Sequence, residues 1–330
     1  MFSEAFEDLL KGQCPPAAVR AIDAGCHHEA LWSVILESGF LELMAPEDAG
    51  GAGADLADAL PLFMALGAHA VPLPVGQAIA LRTLLPAGEA VPQGLPTFAP
   101  SLVSARDTTW VAPRVPYGML AGPVLAEQGG TLWLLDAHDA QRRHCRLHGE
   151  PTADLRWESD IEQVGKRLGD AGGTPGRLAA WAAALHAALL TGAITRCFEL
   201  TLQYGNDRIQ FGRSIGKFQA VQHQLAVMAE HVAAARIATA AAFRVGTTQP
   251  ALLPAAIAKA RSSEAAALVA ATAHGLHGAI GVTEEYDLQL YTRRLHSWRL
   301  AHGSEQYWHG IVGEALMNSS TSAAEFVREL

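Results

Sequence analysis

The sequence predicts a mainly α protein with a small β domain: an N-terminal helical domain, a middle β domain and a C-terminal four-helix bundle. Three observations predict it. Helical periodicity runs through residues 1–90, is lost over 91–172, and returns at Leu178. The middle stretch carries short apolar runs broken by turn residues. The 173–330 stretch holds long alanine-rich runs joined by short turns, and antiparallel helices connected this way make a bundle.

Each element follows in order. "HEALWSVILESGFLELM" puts Leu31, Ile35, Phe40 and Leu43 near one helical stripe, with Gly39 as the stop signal. "PEDAGG" is a turn, and "DLADALPLFMALG" a helix ending at Gly67. In the middle domain, "GMLAGPVLAEQGGTLWLLDA" reads as a hairpin about Gly129-Gly130, and "HCRLHGEPTADLRWES" continues as strands and turns. "GDAGGTPG" (169–176) reads as a linker. The bundle then has a first helix ending near Gly205, a second ending near Gly246, a third over "ALLPAAIAKARSSEAAALVAATAHGLHG", and two shorter pieces, "DLQLYTRRLHSW" and "SEQYWHGIVGEAL". Trp181, Trp298 and Trp308 are expected as core or interface anchors. Arg293, Arg294 and Arg299 are expected to pair with carboxylates of the bundle.

Composition excludes several function classes. A net charge of −9 with no basic cluster makes a poor nucleic-acid binder. The 4 cysteines lack CxxC spacing, and the adjacent His27 and His28 point to different sides of a helix, so neither a disulfide framework nor a metal site is expected. "MFSEAFEDLL" carries acids where an export signal carries bases, and free thiols suit a reducing compartment, so a cytoplasmic location is expected. No apolar run reaches the ~20 residues of a membrane span without a charge or proline, so no span is expected.

The run "RIQFGRSIGKFQ" opens with Arg208 between two alanine-rich helices. Two readings are open. Arg208 caps the carbonyls of the preceding helix, or it is held out to grip an anion. A guanidinium fork meets a phosphate group with paired, charge-assisted hydrogen bonds, and neighbouring glycines let the backbone come close.

Arg208, Phe211, Gly212, Ile215, Phe218 and Gln219 match the "R-x-x-FG-x-x-I-x-x-FQ" element of the acyl-CoA dehydrogenase flavoproteins. "HGAIGVTEEYDLQLYTRR" (277–294) is similar to that family's "HGGIGFTWEHDLHLYLRR", and "LWSVILESGFLELMAPEDAGG" resembles its "PEEYGG" segment. The resemblance runs from about residue 30 to 320 with the elements in order. It implies FAD as cofactor and α,β-desaturation of an acyl-CoA thioester, with an electron-transfer flavoprotein or similar acceptor. It also implies that Arg208 reaches the pyrophosphate of a neighbouring subunit's FAD, that Phe211 lies against the adenine, and that Gly212 shapes the loop, with Phe218 and Gln219 completing the element. A family glutamine at the pyrophosphate is replaced here by Gly275, which offers only its backbone N–H. His274 is either the substitute donor or a histidine packed at a helix end. Gly278 and Gly281 keep their places, and Ala279 replaces a glycine.

The resemblance also marks what is missing. The family's usual base, a glutamate, falls on His302, with Gly303 and Ser304 matching the rest of its turn; the alternative base position falls at Ala182. Neither is a carboxylate, and no catalytic residue is assigned. An imidazole at pKa ~6.5 permits proton abstraction near neutrality, but a base must sit within ~3 Å of the proton it takes. Glu305 is a weaker candidate. The strand motifs "TEPxAGSD" and "WITN" are absent, and "GLPTFAPSLVSARDTTW" stands where the first belongs. The expectation is therefore the smaller subunit of a heteromeric α2β2 acyl-CoA dehydrogenase of the steroid side-chain type. A longer paralogous partner supplies the glutamate. Two alternatives stay open: a homomeric enzyme using His302, and a non-enzymatic scaffold.

Overall fold

The computed structural model describes residues 2–86, 88–106, 108–146, 149–168 and 175–328. Positions 169–174 of the expected linker lie outside the described residues. Five helices come first: α1 (Phe2–Gln13), α2 (Pro16–Asp23), α3 (Glu29–Glu37), α4 (Leu56–Ala68) and α5 (Val75–Leu84). Pro16 opens α2 at a position where its missing N–H costs nothing. Asp55 caps α4 by accepting from the Asp58 N–H at 2.9 Å, and the same carboxylate accepts from the Gly246 N–H. A single N-cap thus ties the N-terminal helices to a bundle loop.

The β domain follows as β1 (Thr97–Ala99), β2 (Val103–Arg106), β3 (Thr109–Val115), β4 (Pro123–Gln128), β5 (Thr131–Asp136), β6 (Gln141–His144), β7 (Ala153–Trp157), the short α6 (Ile161–Val164) and β8 (Gly165–Arg167). One sheet has the order β1-β4-β5-β8 and the other β2-β3-β7-β6. Gly129 and Gly130, at φ 58° and 82°, make the two-residue turn between β4 and β5. Positive φ at both central residues is the turn geometry that matches strand twist. Val124, Leu155 and Trp157 lie in the core between the sheets. The β3 register shifts between Ala112 and Val115, and within that bulge Arg114 takes φ 48° while its N–H is held by Asp154 at 2.8 Å.

The bundle comprises α7 (Arg177–Asp207), then the hairpin strands β9 (Ile209–Gln210) and β10 (Arg213–Ser214), then α8 (Gln219–Ala242), α9 (Leu252–His277), α10 (Leu288–Leu300) and α11 (Glu305–Asn318), with a short α12 (Ala323–Arg328). Glu127 on β4 accepts from the N–H groups of Gly176 and Leu178, so a β-domain carboxylate caps α7. α7 runs past Gly205 because that glycine is buried beneath the following hairpin. α8 stops before Gly246 because Phe243 is pulled into the core against Phe63, 5.9 Å between ring centroids. Trp181, Trp298 and Trp308 are all core residues, each at most 1% exposed.

Two contacts lock the domains together. α4 and α7 cross backbone to backbone: a methyl group on Gly67 would stand 2.0 Å from the Leu189 carbonyl oxygen, and one on Gly192 1.9 Å from that of Met64. The second is polar. Arg294, buried on α10, forms a bidentate pair with Asp23 of α2 at 3.0 Å on each arm. Its carboxylate partner comes from the N-terminal domain, not from the bundle as the sequence suggested. Beside it the buried Glu150 accepts from Trp298 Nε1 at 3.0 Å, and burial pushes its pKa up to about 7.

The expectation that no segment is apolar enough for a membrane span is corrected. By length and composition alone, three helices reach that level: Arg177–Asp207, Gln219–Ala242 and Leu252–Val282. The sequence reading ended every run at its first charge, whereas long alanine-rich helices stay apolar on average around one or two charges. The bundle accounts for the first of them, whose apolar window is 89% buried.

Candidate functional site

The hairpin after α7 is built to project. Arg208 leaves the helix with its own N–H bonded to the Tyr204 carbonyl, and its carbonyl accepts from the Ile215 N–H at 2.8 Å. Ser214 Oγ donates to the Gly205 carbonyl at 2.7 Å, and a side chain on Gly216 would press on that same oxygen at 3.0 Å. The hairpin base is thereby stitched to the end of α7. At its tip Phe211 and Gly212 take φ 52° and 78°. An aromatic residue in the left-handed region is an outlier costing on the order of 1 kcal/mol. Phe211 is also 92% exposed. The strain therefore gains no burial inside this chain.

Phe218 steadies the group from below. Its ring carries the Arg213 guanidinium at 4.2 Å on one face and meets the Phe211 ring edge-on at 6.2 Å. Arg208 itself is exposed, and its side chain makes no hydrogen bond or ion pair among the described residues. The capping alternative is not adopted. Gln219 begins α8, exposed beside the tip.

The glycine-rich turn is brought to the same end of the bundle. His277 stacks on Tyr204, four residues before Arg208, at 4.3 Å and 24°. His277 ends α9, and Gly278 takes φ 63° at the start of the turn. Gly275 faces open space, so nothing within the chain forbids a side chain there. His274 bonds Thr292 Oγ1 through Nε2 at 2.9 Å, while its buried Nδ1 has no partner. Burial, with a smaller push from His296, lowers its pKa and keeps the ring neutral.

The other half of the predicted set lies far away. His302 packs edge-on against His186 at 4.9 Å. His186 stands 22 residues before Arg208 along α7, roughly 33 Å by helix rise. Ser304 starts α11 with no side-chain cap, at that same remote end. His302 sits in a turn at φ 56° and borders a cavity of about 230 Å³ with Arg114, Ala179 and Trp308. Burial, then His186, Lys259 and Arg114, hold its pKa well below the usual imidazole value. That makes it a weak base. Glu305 is committed to Arg299, Oε2 at 2.8 Å from Nε. Ala182 is buried. No carboxylate is among the described residues lining the cavity.

Nothing in the sequence marked Lys259. It is fully buried on α9, with Nζ donating to Ser263 Oγ, the Arg299 carbonyl and the Gly303 carbonyl at 2.9, 2.9 and 3.2 Å. It pins the His302 turn. Burial lowers its pKa to about 7.

The residues at the two ends differ in what they fit. A free guanidinium, an exposed aromatic ring and a positive-φ glycine turn suit the pyrophosphate and adenine of a dinucleotide standing outside this chain. The cavity at the other end offers no carboxylate among its described lining residues and falls below the roughly 300–1,000 Å³ of sites for drug-sized ligands.

A helical N-terminal domain, a two-sheet middle domain and a long-helix bundle define a flavoprotein dehydrogenase architecture. The chain belongs to the acyl-CoA dehydrogenase family: the family's N-terminal domain matches residues 1–89 and its C-terminal domain residues 160–317. Acyl-CoA dehydrogenase IpdE2 of Mycolicibacterium smegmatis is 35% identical over 93% of each chain. Among solved structures, the ChsE4-ChsE5 complex from Mycobacterium tuberculosis shares the fold with a TM-score of 0.84 at 22% identity, covering 97% of each chain. The Tcur3481-Tcur3483 steroid acyl-CoA dehydrogenase does so with a TM-score of 0.82 at 23% identity, covering 97% of this chain and 98% of that one.

Proposed function

We propose that this chain is the smaller subunit of a heteromeric, FAD-dependent acyl-CoA dehydrogenase, in which its hairpin holds FAD seated in the cleft of a longer paralogous partner. The observation that carries the reading is an asymmetry. Arg208 stands free and Phe211 strained at the surface, while the described walls of the chain's own cavity hold no carboxylate. Bound FAD supplies the hydride acceptor for α,β-desaturation. Arg208 would pair with the pyrophosphate, Phe211 would cover the adenine, and Gly212 and Gly278 would let the backbone approach. His274, bonded to Thr292 through Nε2 with Nδ1 buried, is packed at the helix end, and Gly275 lies within α9 with its N–H in the helix ladder, so neither is a donor for the pyrophosphate. The partner would supply the catalytic glutamate, in an α2β2 assembly that passes electrons to an electron-transfer flavoprotein or similar acceptor. Two structural neighbours are complexes of two different subunits. They support this arrangement, and one, a steroid acyl-CoA dehydrogenase, supports a steroid CoA as substrate.

Co-expression with each neighbouring paralogue tests the reading. The complex should hold stoichiometric FAD and the lone chain little. Arg208→Ala should strip most FAD from the complex, since a charge-assisted bidentate contact is lost. A lone chain that retains stoichiometric FAD and reduces an acceptor with an acyl-CoA would overturn it.

A further inference from the structure

The glycine-rich turn after α9 is held from two sides, and one hold comes from the N-terminal domain. On the bundle side, His277 stacks on Tyr204, and the Tyr286 ring packs on His277 at 5.2 Å and meets Tyr204 edge-on at 6.3 Å. These rings join both ends of the 277–286 segment to the last turn of α7, where Arg208 and the hairpin depart. On the other side stands Arg20 of the 8-residue α2. Its Nε donates to the Glu284 carbonyl at 2.9 Å and its Nη2 to the Glu285 carbonyl at 3.2 Å, and Nη2 also pairs with the Asp287 carboxylate.

Asp287 shows that this contact takes precedence locally. It is the N-cap of α10, where an aspartate commonly turns back onto a free backbone N–H of its own helix. Here its side chain makes no cap hydrogen bond and is given to Arg20 instead. Arg20 also works from a fixed base. Val19 beside it is 1% exposed, and Asp23, three residues on, holds the buried Arg294 of α10 by both arms. A planar guanidinium with its donors in a rigid fork suits several acceptors at once, which the point charge of a lysine does not. The hold passes on to the turn through Thr283, whose N–H and hydroxyl both donate to the Ile280 carbonyl, at 3.2 and 2.9 Å.

We propose that Arg20 is a positioning residue for the cofactor: from α2 it sets the Gly278 turn at the place where that turn's backbone meets the partner's FAD. The inference rests on the reading of the hairpin and glycine turn as an FAD-holding surface, and it gives the N-terminal helices a task at that end of the bundle.

Arg20→Gln keeps a polar side chain but loses the charge and the fork. In the lone chain, amide hydrogen exchange over residues 278–287 should quicken several-fold. In the co-expressed complex, FAD affinity measured by flavin fluorescence should fall about ten-fold, the order expected for losing a charge-assisted contact. Arg20→Lys should recover part of that loss, because an ammonium can still meet Asp287. Arg82→Gln is the matched control: it breaks another arginine pair of the N-terminal domain, to Glu42 at 2.8 Å, and should leave FAD affinity unchanged. Unaltered exchange in Arg20→Gln, or an equal loss of FAD in Arg82→Gln, overturns the inference. FAD lost from Arg208→Ala but bound normally by Arg20→Gln overturns this inference alone. FAD bound normally by Arg208→Ala overturns the hairpin reading, and this inference with it.

Discussion

Phe211 holds a backbone conformation unfavourable to an aromatic residue and gains no burial for it within its own chain. Strain of this kind is retained where a ligand or partner offsets it. Phe211→Gly should therefore leave Tm of the lone chain unchanged or slightly higher, since the strain is relieved as backbone freedom is added. In the complex it should weaken FAD retention several-fold, read by flavin absorbance after gel filtration. Wild-type retention would mean that the ring does not meet the cofactor. Arg208 and Phe211 were legible in the sequence because their spacing is a motif. The strain was not, because only glycine advertises a positive φ. Lys259 was hidden for another reason: a lysine near Arg261 and two serines reads as a solvated face, and only the packed turn at Gly303 shows that it points inward.

Between elements, Glu150 fastens the β domain to α10 through Trp298. Its pKa is raised by burial to about 7 in the folded protein, against about 4.3 in an unfolded chain. Its favourable contribution is therefore complete below the unfolded value and is lost as pH rises through about 7. Glu150→Gln keeps an acceptor for Trp298 and removes the charge. It should raise Tm at pH 8 by a few degrees and do much less at pH 5, as scanning calorimetry would show. An equal effect at both pH values would place the charge elsewhere. The order of elements was readable because period alone separates the alanine-rich helices from the strands. The parallel pairing of β1 with β4 was not, since nothing local in "PTFAP" names a partner some 27 residues on. α7 ends two residues past Gly205 and α8 four before Gly246 for a related reason. Gly205 and Gly246 look like stop signals, but buried contacts at Gly205 and Phe243 decide the ends.

For the molecule as a whole, α8 is apolar yet largely uncovered: its apolar window is 33% buried. Val227 and Ile237 on α8 are 42% and 73% exposed. Alanine-rich helices with such faces pack closely on other helices, which fits an assembled rather than a solitary chain. Ile237→Asp should shift the co-expressed complex toward smaller species in native mass spectrometry while leaving the circular dichroism of the lone chain intact. An unchanged assembly would show that this face is not at the interface. The family and the three-part plan were legible along the whole chain. The number of subunits was not, because a surface made for another polypeptide looks in sequence like an ordinary core.

Gly67 and Gly192 bear on how the chain can be divided. With no side chain on either, the two helices touch along their main chains, leaving no layer of atoms that solvent or a substitute could replace. A fragment starting at residue 177 would bare a groove of glycine and alanine that only α4 fits. Truncation should therefore yield insoluble product rather than an autonomous bundle, and the first 90 residues act as the bundle's missing helix.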